Sequence, residues 1–236
     1  MIDRIAKERL NIILIVDASK SMQGKRIRQV DQAIGDIKDY LIELQSENTN
    51  VDFYLTIIPF NNGAYFYQNQ ESIFIDDFDY GGIKCGGYSN LHQAYKKLKT
   101  IMEKESKGGI MPDFGGAAPI ILLLTDGHPT GNSYKEYLKD LKDVPWFKAA
   151  LRYGIAIELN DGRTHKVLKD FVGDNGDVVT CYDANILKEI IKIIVLTASK
   201  VKSTSSNVEL GTNVSQNQIA QQQIADALSD TDGWGW

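Results

Sequence analysis

Five apolar runs of strand length recur along the chain, at 11–16 (NIILIV), 51–60 (VDFYLTIIPF), 119–125 (PIILLLT), 153–159 (YGIAIEL) and 177–181 (DVVTC), and helix-like segments separate most of them. Such alternation marks a largely parallel sheet, because each crossover between parallel strands lays a helix on a sheet face and buries it. The expected fold is α/β: a Rossmann-like, doubly wound, mainly parallel sheet with helices on both faces. The clearest helical period follows the first run, where Ile27, Val30, Ile34, Ile37, Leu41 and Leu44 advance by three or four and predict a helix over 27–45. The stretch NNGAYFYQ (61–68) combines a turn with an aromatic alternation and is read as one antiparallel edge strand. Further helices are expected near 90–105, 133–150, 163–172 and 184–199, with Asn132, Thr164 and Asp183 as N-caps.

The 236 residues, 43% of them hydrophobic, suffice for one such core plus an appendage. From about Ser203 the composition turns to Ser, Thr, Asn and Gln, which cannot build a core, so 1–202 is read as the domain and 203–236 as a polar acidic tail. The tail carries Glu209, Asp226, Asp230 and Asp232 without Lys or Arg, and ends in DGWGW. Most of the net charge of −5 therefore sits there, and the near-neutral body gives no nucleic-acid footprint. Trp234 and Trp236 are candidate anchors for a pocket on a partner, the alternative being that they fold back on this domain. Ile219, Ile224 and Leu228 are spaced for one short helix before them. No run is long and apolar enough to span a bilayer and MIDRIAKERL has no signal-peptide core, so the expectation is a cytoplasmic protein without membrane contact. Cys85 and Cys181 form neither a CxxC pair nor a disulfide framework and are read as reduced thiols.

In a doubly wound sheet ligands bind outside the carboxyl ends of the strands, and DASKS (17–21) lies at that end of the first run. Asp17, Ser19 and Ser21, spaced two apart, can curl a carboxylate and two hydroxyls round a point. Alone, this could be a helix cap and turn. However, CGGYSNL offers Ser89 and IILLLTDG ends in Asp126, so three loops bring oxygens to one place. Oxygen ligands of this kind suit a hard divalent cation, Mg²⁺ or Mn²⁺, and two carboxylates balance its charge. No base is indicated for Ser19 or Ser21, and His92, His128 and His165 are read as solvated. Asp76, Asp77 and Asp79 lack the order of an EF-hand loop and are read as a solvated segment, with partner contact as the alternative.

The DxSxS run, the glycine-led Ser89 and the TDG turn resemble the metal-ion-dependent adhesion site of von Willebrand factor A domains. The resemblance implies direct ligation by Ser19 and Ser21, direct or water-mediated ligation by Ser89, a water-mediated role for Asp126, and Asp17 as the first-loop aspartate. The second-loop residue is usually Thr in that family; Ser89 keeps the hydroxyl with more rotamer freedom. Tyr88 and Thr100 cannot replace it, the first by chemistry and the second by its place inside a helix. Over roughly residues 9–206, LLTDGHPTG, GIAIELNDGRTHKVLKDF and ILKEIIKIIVLTASKVKSTS resemble bacterial tellurium-resistance Y-type proteins. That resemblance implies a cytoplasmic, non-enzymatic interaction module in a bacterial stress-resistance system, working with a protein kinase and a serine/threonine phosphatase. Its metal would accept an Asp or Glu from a protein partner. The alternatives are a metal-assisted phosphohydrolase, with Arg26 and Arg28 near the first loop, and an adaptor whose metal only stiffens the loops.

Overall fold

A computed structural model describes residues 7–47, 51–127, 129–158, 162–173 and 177–203. The strands are β1 (Glu8–Asp17), β2 (Val51–Phe60), β3 (Ile73–Phe74), β4 (Ile120–Thr125), β5 (Leu151–Ile157) and β6 (Asp177–Cys181). The helices are α1 (Lys25–Glu47), α2 (Leu91–Ile101), α3 (Tyr134–Lys142), α4 (Pro145–Ala149), α5 (Gly162–Val172) and α6 (Ala184–Ser203). The sheet order is β3-β2-β1-β4-β5-β6, and every pairing is parallel except β2 with β3.

Strand β1 shows why the apolar runs had to become central strands. Leu10, Ile12, Leu14 and Val16 face the layer of α1 and α6, while Ile13 and Ile15 face the layer of α2, α3 and α5. Strand β4 alternates in the same way, Ile120, Leu122 and Leu124 on one side and Ile121 and Leu123 on the other. With apolar side chains required on both faces, the period-two polar alternation of a half-solvated strand disappears. Each such side chain contributes roughly 1.5–3 kcal/mol by leaving water. Helix α5 approaches β5 so closely that a Cβ on Gly154 would lie 2.8 Å from the Leu168 Cβ, which explains a glycine inside a buried strand.

Three expectations are corrected. The antiparallel edge is Ile73–Phe74, paired to Leu55 and Tyr54, rather than NNGAYFYQ. Among the described residues, only Ala64 in that stretch bridges back, to Phe60; Phe66 and Tyr67 turn inward, and the positive φ of Gln68 and Asn69 ends the extended path. The helix expected over 133–150 is two helices, because Pro145 lacks an amide donor and forces Val144 into an extended conformation. Among the proposed caps, Asp183 Oδ1 does accept the Ile186 amide at 2.9 Å. Ser133 takes the cap position expected of Asn132, and Thr164 lies buried within α5. The tail from 204 onward, with Trp234 and Trp236, lies outside the described residues, as does His128.

Candidate metal centre

The order of the sheet reverses between β1 and β4, so their carboxyl ends border the crevice where a doubly wound fold binds ligands. Asp17 ends β1 and Asp126 follows β4 directly. The first loop leaves β1 with the Ala18 amide bonded to Phe60 O at 2.8 Å, then turns through a short 3₁₀ segment, Lys20–Met22, pinned by the buried Met22. Ser19 N donates to Asp17 Oδ1 at 2.8 Å, which curls DASKS back on its own carboxylate, and Ser19 Oγ and Ser21 Oγ lie 3.0 Å apart.

The second loop is stitched to the first by Gly86 N to Ala18 O (2.8 Å) and Lys20 N to Gly87 O (3.1 Å). Gly87 has φ +78, and a Cβ there would come 2.5 Å from Asn62 Oδ1, the atom that accepts the Tyr88 amide at 2.8 Å. Only glycine fits that corner, and it presents Ser89, whose hydroxyl donates to Asp17 Oδ2 at 3.0 Å. The third loop joins the second through Thr130 N to Ser89 O at 2.7 Å.

All five expected residues are thereby brought into one network. Asp17, fully buried, accepts from Ser19 N on one oxygen and from Ser89 Oγ and Thr125 Oγ1 (2.7 Å) on the other. Burial pushes its pKa up, while the bonds from Ser19, Thr125 and Ser89 pull the other way. Asp126, 1% exposed, accepts Ser21 Oγ at 2.8 Å on Oδ1 and Arg26 Nη1 at 2.7 Å on Oδ2.

This donor set fits a hard divalent ion. Among the described residues Asp17 has hydrogen-bond donors but no cationic partner, and the hydroxyls beside it retain lone pairs. No three His, Cys, Asp or Glu side chains converge among the described residues, so neither a thiolate or imidazole cage nor a carboxylate cluster at Asp76, Asp77 and Asp79 is formed there.

The sequence reading missed two participants. Thr125 holds the buried oxygen of Asp17; it stood in the TDG turn but only its neighbour was weighed. Glu158, just past β5, takes φ +54 and gathers Lys25 Nζ (2.5 Å), Gln29 Nε2 (3.0 Å) and Arg26 Nε (3.6 Å). The hydrogen bond from Lys25 is the main cause holding its carboxyl below the usual range. Its place at a strand's carboxyl end was the available signal. His92 meets Gln93 and Ser133, and His165 meets Thr180. Cys85 and Cys181 are free thiols, each pushed up to about 11 by burial.

Comparison with known proteins bears on the family and the fold. The family model described as von Willebrand factor type A domain matches residues 11–193. The chain is 29% identical over 126 residues to inter-alpha-trypsin inhibitor heavy chain H4 of Bos taurus, covering 51% of this chain and 13% of that one. It is 23% identical over 187 residues to inter-alpha-trypsin inhibitor heavy chain H1 of Sus scrofa, covering 70% and 20%. The chain thus spans 13–20% of the length of these curated relatives. Among solved structures, proximal thread matrix protein 1 from the mussel byssus superposes with TM-score 0.56 at 18% identity, covering 82% of this chain and 49% of that one. The vWF domain of the type V pili tip protein Mfa5 from Porphyromonas gingivalis gives 0.54 at 11% identity, covering 86% and 98%. At those identities the likeness is one of fold.

Proposed function

The chain belongs to the von Willebrand factor type A domain family, a family of protein-interaction modules, and from that premise we propose that it is a non-enzymatic adaptor that captures a partner's Asp or Glu through Mg²⁺ or Mn²⁺. What supports this reading most is the convergence of Asp17, Ser19, Ser21, Ser89 and Asp126 from three loops on the crevice between β1 and β4. Ser19, Ser21 and Ser89 are the residues that would hold the ion, with Asp17 and Asp126 orienting the hydroxyls and balancing its charge. When bound, the ion would supply a Lewis-acidic position that a partner carboxylate can fill. Ser19 and Ser21 add no charge of their own, so the site's attraction for an anion is retained. Tyr88, 69% exposed beside Ser89, offers an aromatic contact at the rim.

The setting proposed for the module is bacterial stress resistance, with a kinase and a serine/threonine phosphatase as partners, in the cytoplasm. It rests on the resemblance of residues 9–206 to the tellurium-resistance Y-type proteins, whereas the curated relatives found are inter-alpha-trypsin inhibitor heavy chains. No helix among the described residues is long and apolar enough to cross a membrane. Trp234 and Trp236 are proposed as a second attachment point, which would raise avidity.

The test is capture of partners from the native lysate by wild type and Asp17→Ala, in Mg²⁺ and in EDTA. The expected result is a partner retained by wild type only in Mg²⁺ and lost in the variant. Retention by Asp17→Ala in EDTA would overturn the reading. Metal-stimulated turnover of a phosphate ester that Asp17→Ala abolishes would instead establish the phosphohydrolase alternative.

A further inference from the structure

Arg26 stands between two carboxylates that belong to different strand ends. Its Nη1 donates to Asp126 Oδ2 at 2.7 Å and to Ser21 O at 3.1 Å, so it grips the third loop and the first together. Its Nε is buried and has no hydrogen bond among the described residues, yet lies 3.6 Å from Glu158 Oε2. A buried donor left that close to an acceptor calls for an explanation. Glu158 is held ready to receive it. Lys25 and Gln29 bind one of its oxygens, leaving the other turned to Arg26, and Gln29 is anchored in turn on Tyr182 O at 2.8 Å. The positive φ of Glu158, uncommon outside glycine, is a conformation that the surrounding contacts must maintain.

We propose that Arg26 is a built-in counter-cation of Asp126 that competes with a divalent ion for the site, and that Glu158 is the alternative anchor which draws it away; this rests on the metal-binding reading above. The electrostatic logic is direct. Asp17 and Asp126 together balance a divalent charge, and a guanidinium on Asp126 makes the site one charge too positive to favour the ion fully. Moving the guanidinium toward Glu158 restores that balance and gives the buried Nε its missing acceptor. Arg26 is thus a positioning residue that sets how much metal is needed before a partner can be captured.

The two ends of this device predict opposite effects, which a merely structural role would not. Mn²⁺ binding to the full chain would be measured by titration calorimetry for wild type, Arg26→Gln, Arg26→Lys and Glu158→Gln, with melts in EDTA to verify folding. Arg26→Gln is expected to bind Mn²⁺ on the order of tenfold more tightly. Arg26→Lys should stay near wild type, and Glu158→Gln should bind several-fold more weakly. If wild type binds and Arg26→Gln binds equally or more weakly, the competition is overturned while the metal site stands. Unchanged or tighter binding by Glu158→Gln would overturn it from the other end, should the arginine variant fail to fold. Absence of Mn²⁺ binding in every form would remove the metal site and this inference with it.

Discussion

Asp17 is a carboxylate placed where water cannot reach it, and among the described residues its three hydrogen bonds come from one amide and two hydroxyls. Burying a charge against neutral donors is costly, so binding of a cation beside it should stabilise the whole chain. At a metal concentration about 100 times Kd the gain is about 2.7 kcal/mol, and a chain of this size should melt about 5–10 °C higher in Mg²⁺ than in EDTA. Asp17→Asn should abolish that difference, and its melting point in EDTA should not fall below that of wild type; scanning calorimetry reads both. Thr125→Val leaves Oδ2 with one donor fewer and is expected to cost about 1–3 kcal/mol in urea unfolding, whereas Thr125→Ser should recover most of it. The local DxSxS pattern was legible because spacing within one loop fixes which oxygens can meet. The roles of Thr125, Arg26 and Glu158 were not, since each depends on which strand ends become neighbours across the sheet.

The elements were legible where burial on both faces left a single pattern. Strand β1 runs from Glu8 to Asp17 and β2 from Val51 to Phe60, each containing its expected run, and α1 extends the expected 27–45 by two residues at each end. Where two local rules competed, the sequence was less informative. The aromatic alternation of 64–67 lost to inward packing of Phe66 and Tyr67, and two paired residues at Ile73–Phe74 are too few to leave a period. Gly154 tests the packing of α5 on β5: Gly154→Ala should destabilise by about 1–3 kcal/mol, since the added methyl would lie 2.8 Å from the Leu168 Cβ. The segment that carries the second loop is tied to α1 by Asp31, which accepts Tyr80 Oη at 2.6 Å and Ile83 N at 3.1 Å. Burial raises the Asp31 pKa in the folded chain, so folding favours its protonated form. Its contribution to stability is therefore fullest below the unfolded pKa and declines as pH rises through the folded one. Melts in EDTA across the acid range should show a shallower decline with pH for Asp31→Asn than for wild type.

At the scale of the molecule, the sheet order accounts for the location of the site. Strands β2 and β3 build outward on one side of β1 and β4, β5 and β6 on the other, which leaves the reversal, and hence the crevice, at β1 and β4. Family membership and fold agree with that arrangement, and the oxygens of three loops supply what the crevice presents. The most direct test is a crystal structure of the full chain grown with Mn²⁺, with the ion located by anomalous diffraction. The account predicts one strong peak in contact with the Ser19 and Ser21 hydroxyls and within a water's reach of Asp126. A peak elsewhere, or none at this crevice with Mn²⁺ in excess, would contradict it.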